Sequence, residues 1–447
     1  MGVSNDAVNF LVSAVGSKVA PLYVIMIVAS LGIFIGATFS SGMMEVARKG
    51  IFNPEQFYFA EIMIIFVSVM LTDIILLDVF NTFGLPTSTT VSIVFELLGA
   101  SVVLAFIKME TSGESIGLIG KYINATKAGE IVLGIFLSIV FAFALGALLQ
   151  YLSRLVFGFH YQKRLKHFGG LWAGFALSAL TYFLLIKGLN GASFVTDELI
   201  QWISSHTLIV LGSSFVFWSI VMSVFAYQGY NILRVVVLFG TFTLAMAFAG
   251  NDLVNFVGVP IAGFESFMFW IDSGLPASEF TMEALAEPVR TPTYFLLIAG
   301  VIMVVTLWFS KKARSVTATT VDLSRQDEGI ERFRPNAVAR GIVGFTRRVS
   351  GIGRHLPHIA EPEEIVTSTK YRDQPAFDLV RASVNLTMAS ILIAFGTSLK
   401  LPLSTTYVRF MVAMGTSLAD KAWDRDSAVY RIAGVLNVIG GWFVTAI

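Results

Sequence analysis

The sequence predicts an all-α integral membrane protein built from two inverted-topology repeats, with broken helices and two re-entrant hairpins. Three observations carry that prediction: long apolar runs almost free of charge, a pair of polar motifs that recurs in the same order, and an uneven distribution of Lys and Arg among the loops.

The chain has 447 residues, of which 55% are hydrophobic and 14% charged, against roughly a quarter charged in an ordinary soluble domain. The apolar residues gather at 21–44, 131–151, 171–186, 208–227, 294–309 and 428–447. Each run is close to the roughly 20 residues a helix needs to cross about 30 Å of hydrocarbon. The 38 Gly suit a bundle in which small residues let helices approach closely. A net charge of +1 gives no reason to expect a nucleic-acid partner, and the absence of Cys excludes a disulfide framework and a thiolate metal site. No signal peptide is visible, and a multi-span protein needs none. A polar motif at the very start and an apolar run that stops at Ile447 suggest a fragment, or a mis-assigned start with a lost C-terminal region.

The repeat is the second observation. Ser4-Asn5-Asp6-Ala7-Val8-Asn9-Phe10 and Gly250-Asn251-Asp252-Leu253-Val254-Asn255-Phe256 share Asn-Asp-x-x-Asn-Phe. Leu85-Pro86-Thr87-Ser88-Thr89-Thr90 and Leu401-Pro402-Leu403-Ser404-Thr405-Thr406 share Leu-Pro-x-Ser-Thr-Thr. The second pair lies farther apart by about the length of the polar stretch 311–374, which therefore reads as an insertion. Apolar runs flank each Ser-Thr-Thr tip, 58–80 and 91–106 in the first copy and 376–399 and 407–418 in the second. Run 91–106 is short for a full span, and Gly84 and Pro86 break the chain before it, so each pair predicts a hairpin with its tip inside the membrane.

Charge sets the orientation. Lys163, Arg164 and Lys166 mark the 160–168 loop as cytoplasmic, and the basic 311–374 stretch, whose middle at 337–345 has the pattern of a membrane-surface helix, is placed there too. The acidic segments 190–205 and 265–287 belong on the other side. One helix then leaves at Gly169, another returns by Tyr227, a broken one leaves after Arg234, and 293–309 returns. The two hairpins enter from opposite faces, so the copies are inverted. The expected organisation is 1–158 as the first repeat, 159–229 as connecting helices, 230–310 as the first part of the second repeat, 311–375 as the cytoplasmic insertion, and 376–447 as the second hairpin and following helix.

The four motifs suggest their chemistry. Asp6 and Asp252 are ionisable groups where such groups are expensive, and with an Asn three positions on they offer hard oxygen ligands suited to a cation such as Na⁺. Ser88, Thr89, Thr90 and Ser404, Thr405, Thr406 open apolar half-helices. A single copy reads as ordinary N-capping. Two copies at membrane depth offer helix N-termini and hydroxyls that hold an oxyanion without Lys or Arg. Neither motif supplies a basic side chain, so the helix ends and co-bound cations have to offset the anion's charge. Asp73, Asp78, Glu96 and Arg409 lie beside the tips, where a pathway role and a structural pairing are equally open, and the five His show no metal spacing.

The ordered set of motifs, with Gly16-Ser17-Lys18 and Ala47-Arg48-Lys49-Gly50-Ile51, resembles the inorganic phosphate transporter family, PiT, which includes the sodium-dependent phosphate permeases. The resemblance implies phosphate held by Ser88, Thr89, Thr90, Ser404, Thr405 and Thr406 with Asn9 and Asn255. It implies Na⁺ at Asp6, Asn5, Asp252 and Asn251, no cofactor, and a homodimer in a lipid bilayer, expected to be a bacterial inner (plasma) membrane. Where the family often has His after Ser-Thr-Thr, this chain has Val91 and Tyr407. The expected activity is Na⁺/phosphate symport by alternating access. Sulfate or another tetrahedral oxyanion and H⁺ coupling stay open as alternatives, with an anion channel more remote. No nucleophile with a base, metal triad or phosphate-binding glycine loop points to an enzyme.

Overall fold

The computed structural model describes residues 2–39, 51–185, 196–286, 293–327, 332–352, 374–398, 403–425 and 427–445, and among them there are helices and isolated bridges but no strand. The side chains of Asn251 and Asn255 lie outside the described residues, as do residues 47–50 and the Leu401-Pro402 pair.

Six of the described helices are long and apolar enough to cross a membrane: α4 (Phe59–Phe83), α5 (Thr89–Ser112), α6 (Ala125–Phe157), α9 (Thr207–Tyr227), the Ile232–Gly250 part of α10 (Ile232–Ser273), and most of α14 (Leu379–Ser398). The pair α11 (Thr293–Phe309) and α12 (Lys311–Leu323), bent by 68° at Ser310, passes the same test when its two helices are taken together. Their outward surfaces match a lipid solvent. On α9, Ile209, Val216, Phe217 and Ile220 are all exposed, and only Ser219, Met222 and Ala226 are buried. A patch of that kind is stable only against hydrocarbon or another protein.

The interior is formed by α1 (Gly2–Asp6) and α2 (Val8–Gly16), which pack against α10, α12, α14 and α15 (Thr405–Ala419). The turn at Ala7 between α1 and α2 does not unwind the chain. Ala7 N donates to Val3 O at 3.0 Å and Leu11 N to Ala7 O at 3.2 Å, so the i→i−4 ladder passes through. The broken helix expected after Arg234 is likewise continuous: α10 runs for 42 residues through Asn251 and Asp252. Asp is accommodated within a helix when its side chain finds a partner, and Asp252 has one in Thr405.

Two further expectations are corrected. The return arm of the first hairpin is 24 residues, not the short 91–106 run, because helix α5 continues past Lys108. Lys108 is accommodated by Glu61 of α4 at 2.7 Å and by the Gln56 carbonyl at 2.9 Å. In the second copy α15 has 15 residues, about 22 Å of rise and less than a span. The polar stretch expected as a cytoplasmic insertion also starts packed inside the helical bundle. Its first 13 residues are α12, buried against α1, α2 and α4. Thr317 and Thr320 bond the carbonyls of Ala313 and Val316 on their own helix, so their hydroxyls enter the core already satisfied. The predicted surface helix is α13 (Ala337–Ile352). It buries Ala339 and Val343, packs on α16 (Ala428–Val444), and leaves Val338 and Phe345 exposed.

Helices α6 and α15 come together at small residues. A Cβ on Gly146 would lie 2.9 Å from the Val412 carbonyl oxygen, and one on Gly415 would strike the Phe143 carbonyl oxygen, so only glycine permits this approach.

Candidate functional site

Each Ser-Thr-Thr tip follows the arm that leads into it. In the first, α4 ends at Gly84 in the left-handed conformation (φ 67°), with Leu85 N donating to Phe80 O at 2.9 Å, a Schellman-type stop. The chain then runs extended to Ser88, whose Oγ accepts from Val91 N at 3.2 Å and caps α5. Ser404 does the same for α15, accepting from Tyr407 N at 3.1 Å. The capping expectation therefore holds for the first residue of each triplet.

The middle residue does something else. Thr89 Oγ1 donates to Asp6 Oδ2 at 2.6 Å, and Thr405 Oγ1 donates to Asp252 Oδ2 at 2.8 Å. The same pairing occurs in both copies, each tip bound to the carboxylate of its own repeat. Asp6 is 3% exposed and Asp252 5%, so both carboxylates are withdrawn from bulk solvent.

The third residue of the second tip connects the copies. Asn9 Nδ2, from the first copy, donates to Thr406 Oγ1 at 2.9 Å. Thr90 is partly buried at the start of α5. Asn5, expected beside a cation, is engaged with the chain break: its Oδ1 accepts from Thr87 N at 2.7 Å, and its Nδ2 donates to Leu85 O at 3.0 Å and to Asn81 Oδ1 at 3.2 Å. An amide that donates to one residue and accepts from the next but one substitutes for a neighbouring strand. It holds the first tip open in an extended form.

Sequence reasoning missed Trp442. Its Nε1 donates to the Pro86 carbonyl of the first tip at 3.0 Å, and its ring stacks on Tyr407 of the second, centroids 3.9 Å apart. Together with Asn9 it brings the two tips to one place. It also missed the buried cluster of Arg154, Asp378 and Asp420. Arg154 bonds Asp378 at 2.7 and 3.0 Å and Asp420 at 2.8 Å through both Nε and Nη2, and Gln150 adds a bond to Asp420 at 2.8 Å. Of the weaker sequence candidates, Asp78 pairs with Lys312, Asp73 accepts from Ser92 at 3.5 Å, and the buried Glu96 oxygens have no hydrogen-bond partner.

Narrow cavities adjoin the second tip. One is lined by Asn9, Pro86, Asn385, Thr406 and Arg409 among others, and the next by Asn9, Phe248, Thr405 and Arg409. Arg409, noted in the sequence beside the second tip, lies three residues beyond Thr406 on the same face of α15 and lines both cavities. Among the described residues no group of three or more His, Cys, Asp or Glu is placed to hold a metal ion.

Buried polar groups clustered between membrane-length helices define an integral membrane transporter as the class. Residues 2–319 match the phosphate transporter family, and the chain belongs to that family. Two archaeal proteins, each named "Putative phosphate permease", are similar to it. The one from Pyrococcus horikoshii is 25% identical over 301 residues, covering 66% of this chain and 68% of the relative. The one from Thermococcus kodakarensis is 29% identical over 264 residues, covering 58% and 62%. Among solved structures, one described as the sodium-dependent phosphate transporter aligns with a TM-score of 0.62 at 16% identity, over 99% of this chain and 91% of that one. At that identity the likeness establishes the fold.

Proposed function

We propose that this protein is a Na⁺/phosphate symporter in which the two tips hold the oxyanion and the two Asp-centred motifs hold the cations. Phosphate is assigned to Ser88, Thr89, Thr90, Ser404, Thr405 and Thr406 with Asn9 and Asn255. Na⁺ is assigned to Asp6 and Asp252, with Asn5 and Asn251 beside them. The inverted repeats, the re-entrant character of the hairpins, alternating access, a homodimer and a plasma-membrane location belong to the same proposal. Family membership supports phosphate as the cargo.

The observation that carries the coupling is the repeated Thr–Asp bond. Each of these threonine hydroxyls gives its one proton to a carboxylate. A Na⁺ seated on that carboxylate and on the hydroxyl oxygen repels the proton and turns it outward, toward an oxyanion at the tip. The cation thus converts two hydroxyls from carboxylate-bound donors into phosphate donors, and its charge offsets the anion's. Binding of one ligand then favours the other reciprocally.

The test is uptake of radiolabelled phosphate into proteoliposomes of the purified protein under an inward Na⁺ gradient, a K⁺ control and a pH gradient, with unlabelled sulfate as competitor. Saturable, Na⁺-driven accumulation against the phosphate gradient supports the proposal. Uptake that ignores Na⁺, or that sulfate abolishes at concentrations equal to phosphate, overturns it.

A further inference from the structure

Among the described residues five arginines are buried, and four of them are accounted for by protein partners, Arg325 by Asp322 at 3.8 Å. Arg154 is held by two carboxylates. Arg381 reaches Gln326, Thr416 and the Ala413 carbonyl, each at 3.3 Å, and Arg431 bonds the Arg325 carbonyl and Ser427. Arg409 differs. It is 8% exposed, its Nη1 has no hydrogen-bond partner, and no ion pair to it is found among the described residues. A buried charge without a partner is heavily penalised in a protein core, and here it is placed where helices surround it within the membrane.

Its position gives the reason. Arg409 lines both cavities beside the second tip, with Asn9, Thr405 and Thr406. The first of these cavities also holds Asn385, 3% exposed. The Oδ1 of Asn385 accepts from Thr416 at 2.7 Å, which leaves its Nδ2 facing with no acceptor. Two orphaned buried donors, one of them cationic, therefore line a single cavity at the N-terminal end of α15, where the helix also directs its free N–H groups. Donors without acceptors are the complement of an oxyanion. The feature is confined to one copy: aligning the tips, the position of Arg409 is taken in the first by Ile93, buried and apolar.

We infer that Arg409 and Asn385 form a fixed-charge subsite for the transported oxyanion beside the second tip. The inference rests on the phosphate reading of the site and deepens it. One positive charge belongs permanently to the protein, so that charge does not have to arrive with Na⁺, and the two tips are unequal: the second holds the anion with a charge, the first with dipoles and hydroxyls alone.

The experiment compares the unaltered protein with Arg409→Gln and Arg409→Lys in proteoliposomes, measuring the phosphate KM, the maximal rate and the Na⁺ concentration for half-activation. Arg409→Gln is expected to raise the phosphate KM at least tenfold and shift Na⁺ activation to at least twofold higher concentration, and Arg409→Lys to keep the KM within about threefold. An unchanged KM and Na⁺ curve in Arg409→Gln overturns the inference while leaving the symport proposal standing. Absence of phosphate uptake by the unaltered protein overturns both. Should Arg409→Gln not be recovered folded, a phosphate-bound structure of the unaltered protein decides: a guanidinium nitrogen within about 3.2 Å of a phosphate oxygen supports the subsite, and phosphate held beyond that reach refutes it.

Discussion

Asn9 and Thr406 are 397 positions apart in the chain and 2.9 Å apart in space, the amide of one repeat donating to the hydroxyl that opens a helix of the other. Neither residue is exposed. If the bond positions the second tip, Asn9→Ala and Thr406→Val will each lower phosphate uptake several-fold, and the double variant will be no worse than the poorer single one. Fully additive losses would show that the two residues act separately.

Asp252→Asn removes a full negative charge but keeps an oxygen that can accept from Thr405. Coupled uptake is expected to fall at least tenfold while membrane insertion and yield are unaffected, since the neutral side chain is easier to bury. Retention of Na⁺-driven uptake at the unaltered rate would remove Asp252 from the cation site.

Thr89→Ser and Thr405→Ser keep the hydroxyl that reaches each carboxylate, and Thr89→Ala and Thr405→Ala do not. The serine variants are expected to transport at near-normal rates and the alanine variants at a small fraction. Thr89→Ala also removes a donor from the buried Asp6 carboxylate, a penalty of about 1–3 kcal/mol. Equal activity of serine and alanine at either position counts against the hydroxyl switch.

How far the sequence foretold these contacts depends on where a residue's meaning resides. Asp6, Asp252 and the two triplets were visible because polar residues in apolar surroundings stand out and because they recur. The capping role of Ser88 and Ser404 follows from local chemistry alone. Arg409 could be noticed in the sequence but not interpreted, since its lack of a partner is a property of the neighbouring side chains, drawn from separate helices, that line the cavity with it. Trp442 gave no signal, because its significance lies in touching Pro86 and Tyr407, which are far from it in the chain. The burial of helix α12 within the bundle was not legible, because Ser and Thr look hydrophilic in composition, yet they bury readily once they bond their own helix.

Trp442→Phe retains an aromatic ring over Tyr407 but loses the donor to Pro86. Its expected effect is a modest loss of thermal stability in detergent, about 1 kcal/mol for one buried hydrogen bond, with a larger loss of uptake than of stability. A variant with lowered stability and normal uptake per folded molecule would reduce Trp442 to a packing residue.

Asp420→Ala leaves Arg154 with a single carboxylate in a buried setting. Breaking one side of a buried ion cluster typically costs about 3–5 kcal/mol, so a marked drop in melting temperature is expected in a detergent-based thermal assay. Stability equal to that of the unaltered protein would mean that Asp378 alone satisfies the guanidinium.

That cluster has a mechanical corollary. Asp378 immediately precedes α14 and Asp420 caps the end of α15, so the two carboxylates stand at the start of one helix and the finish of the next. Both are gripped by one guanidinium on α6, a helix of the opposite half. Like tongs riveted at the handles, the two helices are fastened together at these ends, and parting them there requires breaking ion pairs that tie both to α6.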